Sequence, residues 1–270
     1  MKLRLYGFVI SSVAAVAITI MALAPALAQD GAGKGKGKGG GKAAFQPPQG
    51  PAPKTSSGKP DFSGLWQRPY VPDMSKSSKG GDQKGEPDLP FTAWGKAEWE
   101  KYDVSAGDYT GACLPFGLIR SMNSPDPIQI MQSDQFLALL YEQNTWFKVF
   151  PLDGRAHGKG VPTWFGDSVG TWEGDTLVVD TVNFNGRTRL DTIGHPHSDL
   201  LHVVEHFSRP DLGHINYSIM IDDPKTFTKS WTNTRTFTLR PDWQIMEYSC
   251  EENNKSFWEG RLKVPNYEGK

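Results

Sequence analysis

From Asp126 onward, polar and apolar side chains alternate with a period of two, which is the repeat of a strand whose two faces meet different surroundings. The runs are Ile128–Ser133, Phe136–Gln143, Trp146–Pro151, Ser168–Glu173, Thr176–Phe184, Leu200–Ser208, Ile215–Asp222, Trp231–Arg240 and Ile245–Cys250. Turn-forming pairs separate them, among them Asp153-Gly154, Gly174-Asp175, Asp223-Pro224 and Pro241-Asp242. Many short strands with close turns and little helix predict an antiparallel barrel or sandwich.

The stretch from Thr163 to Phe207 organises the rest. Ser168–Trp172 rises into a turn at Glu173-Gly174-Asp175, and Thr176–Phe184 returns. Gly174 takes a positive φ without steric cost, as a tight hairpin requires. Four of the six histidines then fall between His195 and His206. The active or binding surface is expected here.

Lys2 and Arg4 precede an apolar run from Gly7 to Leu23, and Ala26-Leu27-Ala28 is a small-x-small cleavage site. Residues 1–28 read as a signal peptide cut after Ala28, which directs the chain to the periplasm or outside the cell. No second long apolar run follows, so no membrane span is expected after cleavage. Residues 29–59 read as a disordered Gly/Lys/Pro linker. Its Lys34, Lys36, Lys38 and Lys42 are candidates for contact with an anionic envelope surface. Residues 60–270 form one domain, with Thr92–Tyr102 as its helix and Thr92 as the cap. Lys and Arg number 29 against 30 Asp and Glu, a balance that argues against a nucleic-acid partner. In an exported chain two cysteines, Cys113 and Cys250, suggest a disulfide; two separate buried thiols are the alternative. A disulfide would tie the early fold to its last strand.

The domain opens with Asp61-Phe62-Ser63-Gly64-Leu65-Trp66. A Gly two positions before a Trp on the first strand resembles the opening of lipocalin-like barrels, in which the Trp plugs one end. The expected fold is therefore all-β, an antiparallel up-and-down barrel of lipocalin-like design with one short helix. Longer motifs are DFSGLW from Asp61, CLPFGLIR from Cys113, LDGRAHG from Leu152, GDSVGTWEGDTLVVDTVNF from Gly166, PHSDLLHVVEHF from Pro196, IDDPKTF from Ile221 and EYSCEENN from Glu247. In these the chain resembles an uncharacterised family of exported bacterial proteins, seen in acidobacteria and proteobacteria. The resemblance spans Asp61 to about Asn254. It departs from the family pattern at His206, where relatives carry Arg, and at Cys250-Glu251-Glu252, where they carry Cys-His-Glu. It implies secretion and one compact domain, without a reaction.

On a strand from Leu200 to Ser208, Leu201, Val203, Glu205 and Phe207 point one way, and Leu200, His202, Val204 and His206 the other. His202 and His206 then stand roughly 13 Å apart, too far to share one ion. His195, His197 and His202 make a better metal set, for zinc or another divalent cation, if the preceding loop folds over the strand. Alternatively, His197 or His202 is a general base, with Glu142 or Glu205 as acid or orienter and Arg155 as an anion clamp. The structural alternative has His197 and Ser198 capping the strand entry and His202 bonded to a neighbouring strand. His157, Trp164, Trp231 and Arg235 are candidate ligand contacts, because their segments mix aromatic and polar groups as small-molecule pockets do. Ser168 lacks a GxSxG elbow, and no phosphate loop, dinucleotide fingerprint or haem motif is present.

The expectation is an exported protein that processes a small organic molecule, as a non-redox lyase, isomerase or hydrolase working by His/carboxylate proton transfer in a barrel pocket. A binding or carrier protein and an envelope structural protein are the alternatives.

Overall fold

The computed structural model describes residues 45–103, 108–252, 254, 255 and 259. The expected signal peptide and the first part of the linker lie outside them.

The described residues form ten strands: β1 (Gly64–Gln67), β2 (Gln83–Lys84), β3 (Ile128–Gln132), β4 (Phe136–Tyr141), β5 (Phe147–Pro151), β6 (Asp167–Glu173), β7 (Thr176–Val182), β8 (His202–Ser208), β9 (His214–Asp222) and β10 (Trp231–Leu239). All ladders are antiparallel, in the order β5-β4-β3-β1-β10-β9-β8-β7-β6. Apart from the short β2, which pairs with β10, every neighbour is a sequence neighbour, and β10 returns to β1. This is an up-and-down barrel. It is nearly closed, with a seam between β5 and β6 that Gly154 N–H bridges by donating to Gly170 O at 3.1 Å. No helix among the described residues is long and apolar enough to cross a membrane.

The alternation places one residue set inside. On β9, Ile215, Tyr217, Ile219 and Ile221 are buried; on β10, Trp231, Asn233, Arg235 and Phe237. The β6–β7 hairpin turns at Gly174, whose φ is 61°. Near that end Phe62 stacks on Trp172, with ring centroids 5.9 Å apart. Trp66 is fully buried, donates from Nε1 to Phe62 O at 2.9 Å, and carries the Arg209 guanidinium 4.8 Å above its ring.

The first expected helix is present as α1 (Ala93–Glu100), capped by Thr92 Oγ1, which accepts from Gly95 N at 3.0 Å. A second helix, α2 (Gly117–Asn123), was not expected and is buried throughout. It sits where β1 leaves the barrel and β3 enters. A seven-residue helix leaves most of its carbonyls without intrahelical partners. Here buried cations meet them: Arg68 Nη1 donates to Ser121 O and Arg235 Nη1 to Met122 O, each at 2.7 Å. Val71 N–H reaches Asn123 O at 3.0 Å.

Three further expectations need correction. Residues 45–59, assigned to the linker, lie on the barrel: Leu212 N–H donates to Gly50 O, and Lys59 Nζ to Gly174 O. Ile245–Cys250 is not a strand: it joins none of the ladders, and Met246 N–H donates to the Glu142 side chain at 2.9 Å instead of to a strand. The Cys113–Cys250 disulfide is present, with Cα atoms 5.5 Å apart. It therefore ties the turn before α2 to the segment after β10, not to a strand.

Candidate functional site on the outer wall

The pleat of β8 decides which residues can cooperate. Val203, Glu205 and Phe207 face inward and are buried, whereas His202 and His206 face outward and are half-buried. Glu205 and His202 therefore lie on opposite sides of the barrel wall. They do not form the base–carboxylate pair named among the sequence candidates, and the opposed faces already follow from their odd spacing on the strand.

Inside, Glu205 meets Lys148 of β5, with Nζ 3.1 Å from Oε2. Tyr217 OH donates to Oε1 at 2.9 Å. Lys148 also reaches Thr181 Oγ1 at 3.4 Å, and Thr181 bonds to Ser168 at 2.8 Å. Burial lowers the Lys148 pKa, and the charge of Glu205 opposes that shift. The surrounding space is filled by rings: Phe207 lies edge-on to Tyr217 at 4.9 Å, and Tyr217 stacks on Phe237 at 5.1 Å. The barrel interior around Glu205 is a packed polar network.

Outside, His202 and His157 converge. His202 projects from β8, and His157 comes from the loop between β5 and β6. Asp180, on β7 between those two elements, receives both: His157 Nε2 lies 2.8 Å from Oδ1, and His202 Nε2 lies 2.8 Å from Oδ2. Asp167 on β6 extends the group, its Oδ2 standing 3.3 Å from His157 Nδ1 and accepting from Gly158 N at 2.7 Å. Partial burial raises the Asp180 pKa, but the hydrogen bonds and charges of His202 and His157 outweigh it, so the carboxyl titrates below its ordinary 3.8. Both imidazoles are part-exposed, His157 by 27% and His202 by 35% of the side chain, so a solute can reach them. With Nε2 held by a carboxylate, Nδ1 of His202 is the ring nitrogen left to exchange a proton, the division of labour seen in carboxylate-oriented bases.

The other sequence candidates stand elsewhere. His197 is buried, with Nδ1 2.9 Å from Ser198 O and Nε2 2.6 Å from Thr188 Oγ1. His195 is buried against Asp191 at 2.6 Å and packs on Trp99 at 4.7 Å. His195, His197 and His202 thus belong to three separate hydrogen-bond sets and do not share an ion. Among the described residues, the group with ligand atoms close enough for a cation is Asp73, Asp191 and His195, all within 4.8 Å. Its donor set fits poorly: Asp191 already accepts from Met74 N at 2.8 Å, His195 N at 3.2 Å and His195 Nδ1. It is a hydrogen-bonded latch holding the 72–75 segment to the 191–195 turn.

Arg155 forks onto its neighbour Asp153, with Nη2 2.6 Å from Oδ2. Glu142 accepts from Met246 N at 2.9 Å and so fastens the tail after β10. Arg235 and Trp231 point into the barrel, Trp231 edge-on to Phe227, and Trp164 is half-buried beside α2, its carbonyl close to Gly117. None of these joins the outer-wall cluster.

Sequence reasoning missed Asp180 and gave Asp167 only a structural role at the strand entry. Their signal was present: an Asp at an outward position among Val178 and Val182, and an Asp entering the strand beside it. No protein-family model matches the chain, and no curated protein matches it.

Proposed function

We propose that this is an exported protein that transforms a small organic molecule by proton transfer at the outer wall of its barrel. His202 is the base, Asp180 orients it, and His157 is the second proton-handling group. The reaction class is non-redox: a lyase, isomerase or hydrolase step. One observation carries the reading, the Asp180 carboxylate held between Nε2 of His157 and Nε2 of His202 at 2.8 Å each. A surface carboxylate needs only water. Two imidazoles brought from separate elements onto its two oxygens, both still open to solvent, make an arrangement suited to moving protons.

Export rests on the charged, apolar and Ala-x-Ala pattern of residues 1–28 and on the resemblance to exported bacterial proteins. The lipocalin-like reading rests on the buried Trp66 two residues after Gly64. A carrier with its ligand inside the barrel finds no support in an interior occupied by Lys148, Glu205, Tyr217 and Phe237. That same packing favours an envelope structural protein as the second reading, with the Gly/Lys stretch as its tether.

The test is His202→Ala in a screen of ester, lactone, epimerisation and β-elimination substrates. Turnover by the parent and its loss in the variant at unchanged melting temperature support the assignment. Turnover surviving in the variant refutes it, and absence of turnover on all four classes favours the structural reading.

A further inference from the structure

On β5 the usual pattern of a barrel strand is inverted. Lys148 points inward, while Phe147 and Val149 on either side of it point outward and stay 65% and 55% exposed. Outward on β3 stands Met131, 57% exposed, and on β4 Phe136, 43% exposed. The strand register assembles these side chains into one grid. Gln129, Leu140 and Phe147 form one row, Met131, Ala138 and Val149 the next, and Phe136 and Pro151 the third. Four of the eleven large apolar side chains left exposed among the described residues therefore share one face of three neighbouring strands.

The wall across β8, β9 and β10 is different. Its outward positions include His202, His206, Asn216, Ser218, Thr232 and Thr234, polar groups that water satisfies. Strands that run apolar on both faces are normally covered on both. The inner faces of β3, β4 and β5 are covered, through Ile130, Leu139 and Phe150 in the core. Their outer face leaves on the order of 400 Å² of contiguous apolar surface in water, a patch of the size that is often functional.

We infer that this face is a dimer interface, packed against the same face of a second copy of this chain. The grid carries no charged side chain, so two identical faces meet without repulsion, as a two-fold contact requires. The turns around it carry Asp134, Glu142 and Asp153, and Arg155 is already forked onto Asp153 at 2.6 Å. That border gives an anionic lipid surface little to hold. The area also suits a second copy. With its half-buried members and the adjoining turns the face offers about 600–800 Å² per partner, close to what a standard-sized interface takes. Two sheets meeting about 10 Å apart let the outward side chains of the two copies interdigitate. His202, Asp180 and His157 are not part of the grid, so the contact stands independently of the proposed reaction.

The test is sedimentation velocity of the purified protein from low to high micromolar concentration. The parent passes from monomer to dimer across that range. Phe147→Asp and Val149→Asp each weaken the dimer by about a hundredfold or more, because each copy then buries a carboxylate at the contact. Both variants keep the far-ultraviolet spectrum of the barrel, since neither side chain packs in the core. Val161→Asp, at an exposed position off the grid, leaves the association unchanged. A parent that stays monomeric at the highest concentration overturns the inference, and so does a dimer that survives both grid substitutions or is lost equally in Val161→Asp. A monomer that co-sediments with phosphatidylglycerol or phosphatidylcholine vesicles, and loses this with Phe147→Asp, assigns the face to a membrane instead and also overturns it.

Discussion

Nζ of Lys148 lies 3.1 Å from Oε2 of Glu205 inside the barrel, where the two side chains are 4% and 1% exposed. Both charges have left water, and each is tolerable only because the other is there. Tyr217 takes up the second carboxylate oxygen, and its own pKa is raised well above 10.0 by burial and then by the Glu205 charge. The pair joins β5 to β8 across the interior, on the side where the β5–β6 seam lacks a ladder. It acts as a cross-brace for a barrel that does not quite close.

Removing one partner strands the other. Lys148→Met and Glu205→Gln are each expected to lower unfolding stability by about 3–5 kcal/mol. The double variant should lose clearly less than the two single losses combined. Urea titration of the four proteins measures this, and strict additivity would show that the brace is not coupled.

A pH dependence follows from His197. Burial holds its pKa below the ordinary 6.5, outweighing the hydrogen bond to Ser198 O. The unfolded chain therefore takes up a proton that the folded chain resists. Stability from this site is full above pH 6.5 and declines as the pH falls below that value. Melting temperatures between about pH 7.5 and pH 5 should fall, and the fall should be shallower in His197→Gln. Identical slopes in the two proteins would remove His197 from the account.

The disulfide spans a sequence separation of 137 residues. Chain-entropy arguments put its contribution at up to about 5 kcal/mol, usually less in practice. Cys113→Ser combined with Cys250→Ser should lower the melting temperature while leaving the far-ultraviolet spectrum of the barrel intact, because neither cysteine lies on a strand. Loss of the β signal would show that the bond is needed for the barrel to form.

At Gly117, which starts α2, φ is 74°, and an added Cβ would stand 2.8 Å from Thr188 Cγ2 and 2.9 Å from Trp164 O. Gly117→Ala is expected to cost about 1–3 kcal/mol from the strained backbone and the close contacts. Denaturant titration reads this directly, and an unchanged midpoint would mean that α2 shifts to make room.

The barrel was legible in the sequence because alternation is a local signal: β6, β7, β8, β9 and β10 begin and end within two residues of the expected runs. The faces of β8 were legible too, with His202 and His206 opposed to Glu205. What a strand's neighbours bring was not. Lys148 as the partner of Glu205 depends on pairing across the barrel between residues 57 positions apart. Asp180 as the meeting point of His157 and His202 depends on a loop folding over β7. The helix α2 escaped because its carbonyls are satisfied by Arg68 and Arg235, which are distant in sequence, and not by a local cap. The segment Ile245–Cys250 had the right alternation but joins no ladder, its Met246 N–H going to the Glu142 side chain.

The central claim puts proton transfer on the outside of the barrel and architecture on the inside. It is tested most directly by measuring kcat and melting temperature for His202→Ala and Glu205→Gln on the same substrate. The account predicts that His202→Ala loses about a hundredfold or more in kcat at unchanged melting temperature, and that Glu205→Gln melts earlier yet keeps its kcat below its melting point. The reverse pattern, an active His202→Ala and a folded but inactive Glu205→Gln, would contradict it.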